Sequence, residues 1–556
     1  MSHAWRCVAC LLLSVVALIA GPPRRPEGFL AGERIYREGR LPSGEALQGT
    51  LKDGLPASGL VLTCASCHMW SGLGSHEGGA NEGGVVIPPV DAPTLFQPRF
   101  QSLPRIKGAE RDRLGLKASP LRPAYTEATL ARALRTGIDP SGREFNAVMP
   151  RYQLKDVDMA LLIRYLKTLG ADPDPGVDRK TLRFATIIGP EVSAADREAM
   201  LKPLQAFVAF NNGMPRHFGH RMYRTHAGAN LVQDHRTIEL VPWILTGPRS
   251  TWARQLEARY RKEPVFALLG GMASGSWQPI HDFCEAWRIP CLFPITDFPV
   301  VSEVNRYTLY FSRGLQQEGE AAARYLANEL APETGSRVVQ LVQGRAGEAL
   351  SLGFTRAWAE LGRPKGKVLT LAGGKAPDAA LLQELIARDR PSALLLWVGP
   401  GWLPALGASP VPGGQALPLV ISGGAWGSRI HDLPEELREA TYITYPFRHP
   451  EDEARALRNT VPSLAREADR RDSDRIASRM YSLVQVLSKA LVNMEGAYSR
   501  DHLLDRIALL PDQSLPDFER LVFGPGQRYA SRGCYIMQLS TGPEPSLVKR
   551  SGWLIQ

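Results

Sequence analysis

The 556-residue chain is first defined by what it lacks. No G-x-S-x-G, H-E-x-x-H or P-loop segment occurs, and no clear dinucleotide fingerprint, which removes the common hydrolase, zinc-protease and nucleotide-binding signatures. Lys and Arg exceed Asp and Glu by 66 to 56, a formal net charge of +10, but the excess is spread and forms no basic tract. With no nucleic-acid motif, that charge reads as solubility, or as attraction to an acidic protein partner or a membrane surface. There is no second C-x-x-C and no His-x-His pair to complete a zinc site. His217, His220, His226 and His235 cluster in the sequence but fit no ligand spacing, and read as a polar insertion. Only seven cysteines are present.

What is there begins with an address. Arg6 precedes an apolar run from Cys7 to Ala20, then Gly21-Pro22-Pro23-Arg24-Arg25. The run falls short of the roughly 20 residues a bilayer span needs, and reads as an export signal over residues 1–20. In a bacterium that places the chain in the periplasm, soluble, or membrane-held only if the signal stays uncleaved. The length predicts two or three domains.

The segment that organises the rest is Cys64-Ala65-Ser66-Cys67-His68. Two residues between the thiols set both sulfurs against one porphyrin edge, and the next position turns an imidazole under the iron. A C-x-x-C redox pair would not need His68, and half a zinc site has no second half. One covalent haem c is therefore expected, on Cys64 and Cys67, with His68 as an axial ligand. Export agrees with it. Cys284, Cys291 and Cys534 remain, as one disulfide plus a thiol or as three buried thiols.

Around that motif, Gly32 to Tyr36 opens a short amphipathic helix, and Ser71–Pro120 is a long Gly- and Pro-rich stretch suited to wrapping the haem face. Thr126 is an N-cap for a helix stopped by Gly137, and a final helix runs from about Asp156 to Leu169. Between them lies Asn146-Ala147-Val148-Met149-Pro150-Arg151-Tyr152. Met149 is the natural sixth ligand, since Pro150 fixes its backbone and a thioether opposite histidine raises the reduction potential. Met69, Met159 and His76 are the rivals. Met69 adjoins His68 and cannot reach the opposite face, and Met159 falls on a helical stripe.

These segments resemble a class I cytochrome c, over residues 27–172, and are most similar to modules serving periplasmic alcohol dehydrogenases. The resemblance implies an all-α domain moving one electron at a time, with a quinoprotein alcohol or aldehyde dehydrogenase as redox partner. The departure is the long segment between Gly39 and Cys64.

Residues 173–180 are a Pro-, Asp- and Gly-rich linker, and beyond them strands alternate with helices, which implies two α/β lobes with parallel sheets. The run Val265–Pro299, with Ser274-Gly275-Ser276-Trp277 and Arg288-Ile289-Pro290-Cys291, resembles type I periplasmic binding proteins of the branched-chain amino-acid kind, over residues 181–556. That resemblance implies a small-molecule site between the lobes. Ser274, Ser276, Thr296, Asp297, Arg313, Trp402 and Trp426 are its candidate ligand residues. Asp297 would repel a carboxylate, and Gly423-Gly424-Ala425-Trp426 lacks an ammonium-binding acid, so a zwitterionic amino acid fits poorly. For each candidate an ordinary role competes: Arg313 as a salt bridge, the tryptophans as lobe packing.

The reading is an exported electron carrier, not an enzyme, whose second part senses a ligand or docks a partner. The alternative is a substrate-binding protein of an ABC importer with an accessory cytochrome.

Overall fold

The structure is a computed structural model describing residues 25–51, 54–76, 86–100, 121–222, 236–302, 305–330, 337–374, 376–408, 417–460, 472–524 and 526–555. The expected export signal lies outside these residues, as do His226 and His235.

The first unit packs the helices Glu27–Glu38, Cys64–His68, Glu127–Thr136 and Asp156–Leu166 around one apolar cluster that includes Ile35, Tyr36, Leu130 and Leu162. Its first helix starts five residues before the expected Gly32, which is an interior contact. A Cβ on Gly32 would lie 2.3 Å from the Leu161 carbonyl oxygen, so glycine lets the first helix cross the last. Thr126 caps its helix as expected, its hydroxyl accepting from Thr129 N–H, and Gly137 ends it at φ 77°.

The domain is not all-α. The segment between Gly39 and Cys64 forms strands Gln48–Thr50 and Pro56–Ser58, and the first pairs with Arg151–Tyr152. Gly49 and Thr50 stand opposite Tyr152 and Arg151, so the insertion is an edge that binds the strand immediately after Met149-Pro150. Short strands of this kind show too little period-2 pattern to be read in advance.

Beyond the linker, two parallel sheets share one winding. In the first, the strand order is Thr237–Ile244, Thr181–Ile188, Ala267–Leu269, Cys291–Leu292, Thr308–Leu309. In the second it is Lys367–Leu371, Val338–Gln343, Ala393–Trp397, Leu419–Ser422, Thr441–Tyr445. Both are the 2-1-3-4-5 order of a doubly wound sheet, whose ligands bind beyond the carboxyl ends of the strands. The second sheet then gains antiparallel strands Gly533–Leu539 and Leu547–Lys549, which strand alternation did not indicate.

The chain passes between the lobes three times. It leaves the first after Leu309, returns in the helix Asp472–Asn493, whose Met480 and Leu483 join the first lobe's core, and leaves again after Ser531. Buried aromatics fill each lobe, among them Phe184 and Phe266 in the first and Trp397 and Trp402 in the second. Among the described residues, no helix is long and apolar enough to cross a membrane.

Candidate functional site

Cys64, Cys67 and His68 lie on one short helical segment, with Cys64 and His68 buried and Cys67 partly exposed. His68 Nδ1 lies 2.8 Å from the Pro88 carbonyl oxygen. A carbonyl oxygen only accepts, so Nδ1 carries the ring proton and Nε2 keeps its lone pair. Burial also pushes the imidazole's pKa down, which favours that neutral form. A buried, neutral, second-atom-anchored histidine is what iron requires. Pro88 comes from the Gly- and Pro-rich stretch expected to wrap the haem, of which residues 77–85 and 101–120 are outside the described part.

Met149 is partly buried against the cluster that holds Cys64 and Ala65. Its loop is fixed from several sides. Met149 N–H donates to Asn146 O at 3.0 Å, Val148 N–H to Asn146 Oδ1 at 3.0 Å, and the Arg151 guanidinium to Met149 O. Arg151 lies flat on Gly137, where a Cβ would come 2.0 Å from Nε, so the helix-ending glycine also seats the clamp. Tyr152, next along, donates to Leu62 O at 3.2 Å, two residues before Cys64. Of the rivals, Met159 is 2% exposed inside its helix's packing face. Met69 is buried, and the side chain of His76 is outside what the structure describes. The donor set therefore fits a haem in its chemistry, with two thiols, one free imidazole nitrogen and a thioether carried on a braced loop. Among the described residues, no cluster of three or more His, Cys, Asp or Glu side chains forms a separate metal site.

Replacing Met149 with alanine will lower the haem reduction potential by on the order of 0.1 V, a modest part of the roughly 0.8 V that axial ligands command. Potentiometric titration reads it directly, and an unmoved midpoint would remove Met149 from the ligand set.

A second site lies between the lobes, a cleft of about 350 Å³ built by loops at the carboxyl ends of both sheets. The first lobe supplies Ser276, Gln278, Asp297 and Phe298, the crossover supplies Arg313, and the second lobe supplies Arg345 and Glu348. Of the seven expected residues, Ser276, Asp297 and Arg313 meet here. Thr296 lines an adjoining cavity of about 70 Å³ that shares Asp297. Ser274 is exposed and lines neither.

Trp402 and Trp426 are corrected by the structure. Both are 2% exposed within the second lobe's core, with indole N–H groups donating to Gln343 Oε1 at 2.8 Å and Val398 O at 2.7 Å. Their size and saturated hydrogen bonds make them packing, not ligand contacts. Arg313 does both jobs: it faces the cleft and its Nη1 donates to both oxygens of Glu320 at 3.1 Å. Cys284, Cys291 and Cys534 are buried free thiols.

The residue that sequence reasoning passed over is Glu318, 1% exposed at the wall of the smaller cavity. Its Oε2 accepts from Thr444 Oγ1 at 2.6 Å, Ser422 Oγ at 2.8 Å and Gly424 N–H at 3.2 Å. Burial, aided by the nearby Asp297 charge, outweighs these bonds and pushes its carboxyl up to about 7. Nothing in an amphipathic helix pattern distinguishes such a glutamate from a surface one. Between its ordinary value near 4.5 and about 7, the folded chain keeps a proton that the unfolded chain has released. Stability therefore falls as pH rises through that window, by about 3 kcal/mol in all. Glu318→Gln will flatten this slope in urea titrations run at both ends of the window. Equal slopes for the two proteins would show that Glu318 does not titrate there.

Residues 58–170 match the family model for cytochrome c. No curated protein matches the chain. Solved structures similar to it include a fatty acid ABC transporter substrate-binding protein from Thermomonospora curvata, at 16% identity and TM-score 0.45, covering 69% of this chain and 95% of that one. A leucine-binding protein from Thermotoga maritima matches at 15% identity and TM-score 0.45, covering 67% and 99%. A solute-binding protein from R. palustris in complex with benzoate matches at 15% and TM-score 0.46, covering 67% and 96%. The two-lobed description rests on the strand orders and crossovers above, independently of these likenesses. The segment that carries Cys64, Cys67, His68 and Met149 is a cytochrome c domain, joined to an α/β unit of two doubly wound lobes.

Proposed function

We propose that the protein is an exported, periplasmic one-electron carrier whose two-lobed unit takes a small solute in its cleft. One haem, joined through Cys64 and Cys67, supplies the redox chemistry. His68 and Met149 would both ligate its iron, and a haem so held would pass electrons one at a time and leave no ligand position for oxygen or substrate. The observation that carries this reading is the hydrogen bond from His68 Nδ1 to Pro88, which leaves the Nε2 lone pair of a buried imidazole for a metal. A quinoprotein alcohol or aldehyde dehydrogenase is the proposed electron donor, on the likeness of the cytochrome segment to modules that serve such enzymes. The cleft sets Asp297 and Glu348 against Arg313 and Arg345, so it suits a small polar ligand better than an apolar one.

The test uses the full-length protein exported from a host with haem-attachment machinery. Pyridine haemochrome analysis is expected to give one haem per chain, and redox titration a one-electron curve. Thermal melting against amino acids, alcohols, aldehydes, aromatic acids and pyrroloquinoline quinone then reads the cleft, since a ligand of the folded state must raise the midpoint. A chain exported without haem would overturn the carrier reading. A tight conventional importer solute with no electron exchange would favour the alternative, an ABC importer's substrate-binding protein with an accessory cytochrome.

A further inference from the structure

The backbone that follows His68 is bonded to the first lobe of the α/β unit as well as to its own domain. Met69 sits at φ 64°, ψ 169°, a region that side-chain-bearing residues rarely enter and keep only where neighbours hold them there. Within the segment Gly72 N–H donates to Met69 O at 3.3 Å and Gly74 N–H to His68 O at 3.1 Å, and two longer-range hydrogen bonds add to these. Tyr36 donates its hydroxyl to Met69 O at 2.9 Å from within the cytochrome domain. Ser71 N–H donates to Asp505 Oδ2 at 2.8 Å, across 434 residues of sequence.

Asp505 stands on the helix Arg500–Ala508 of the first lobe and is 5% exposed. Its other oxygen accepts from Arg306 Nη2 at 2.9 Å. The Arg306 guanidinium in turn packs on Trp70, its Cζ 3.9 Å from a ring centroid, and Arg37 lies on the same side chain at 4.4 Å. One buried carboxylate thus fixes both the backbone of the segment after the axial histidine and the cation that packs on its tryptophan. Nothing in haem attachment needs a residue from another folded unit, yet this acceptor comes from one.

We propose that Asp505 is a positioning residue for the haem, through which the first lobe holds the histidine-bearing segment in its strained conformation and so sets the reduction potential of the iron. The inference rests on the haem-bearing reading above. Its physical basis is that groups around an axial ligand fix that ligand's orientation and basicity, and with them the relative stability of the ferrous and ferric states. Releasing the Ser71 amide lets Met69 relax to negative φ, and the imidazole tilts with it.

The experiment is a redox titration of the full-length holoprotein carrying Asp505→Ala, Asp501→Ala, Met69→Gly, or Asp505→Ala with Met69→Gly. Haem content is first counted in each; its absence from the unmodified chain would fault the haem reading and not this one. In Asp505→Ala the ferrous-to-ferric ratio at fixed potential is expected to change about tenfold, equivalent to 59 mV for one electron. Asp501→Ala removes the other carboxylate that accepts from Arg306, and with it the acceptor of Arg37 and the Tyr307 hydroxyl, but no bond to the backbone of the segment, and is expected to stay within about twofold of the parent. Glycine adopts positive φ freely, so in the Met69→Gly background the loss of Asp505 should move the ratio far less. An unmoved potential in Asp505→Ala overturns the proposal. So does an equal shift in Asp501→Ala, or a full shift persisting with Met69→Gly, since both would make the effect one of charge and not of position. If Asp505→Ala does not fold, amide exchange on the unmodified holoprotein decides. The Ser71 amide should exchange as slowly as core amides, and exchange at loop rates refutes the bond.

Discussion

Chains carrying Cys64→Ala together with Cys67→Ala will lose all haem under denaturing conditions, while each single variant keeps one thioether and a reduced yield. The reason is geometric. The two thiols sit on the same short helical segment as His68, and under the proposed attachment each would contribute a separate bond to the haem. With both gone, only axial ligation remains, and ligands held by folded structure are released when that structure melts. The α/β unit should be spared, because its cores share no residue with the cytochrome cluster. Haem stain on a denaturing gel, beside a melting curve, reads both effects. Stain that survives in the double variant would show that attachment does not use these cysteines.

Arg500→Ala will destabilise the first lobe by about 3–5 kcal/mol, the scale of stripping a buried charge from its partners. Arg500 is 5% exposed, and its guanidinium donates to the carbonyls of Pro175, Val265, Phe266, Trp287 and Arg288 and to the Tyr260 hydroxyl. Its backbone N–H donates to Asp174 Oδ2 at 2.6 Å. These partners belong to the linker, to the helix Trp252–Lys262, to the segment entering the strand Ala267–Leu269 and to the end of the helix Gln278–Trp287. Without the fork, several buried carbonyls lose a donor at once, each a desolvation penalty. Arg500→Lys should recover little, since one ammonium cannot span that set of acceptors. Urea unfolding of the holoprotein measures the loss. A shift below about 1 kcal/mol would mean that water replaces the guanidinium.

The cytochrome c segment was legible because the pattern that marks it is local: Cys64 to His68 spans five positions, and Met149 follows a helix stop and precedes a proline. The parallel lobes were legible from alternation, since strands such as Val338–Gln343 and Ala393–Trp397 are apolar runs bounded by helices. Other features depend on partners far off in the chain. The pairing of Gly49 with Tyr152 and the bond from Ser71 to Asp505 have no signature in either segment alone. Trp402 and Trp426 show the same limit from the other side. A tryptophan's size is equally suited to a ligand wall or a core, and only the fold decides.

Glu33 binds Arg288 through both carboxylate oxygens at 2.5 and 2.7 Å, Arg37 meets Asp501 at 2.5 Å, and the linker is clamped by Arg500. Kinematically, these ties join the cytochrome domain and the first lobe into one body. Any opening or closing of the cleft swings the second lobe against a body that already contains the cytochrome. A spin label on the cytochrome domain should keep a fixed distance to one on the first lobe, while its distance to one on the second records each closure.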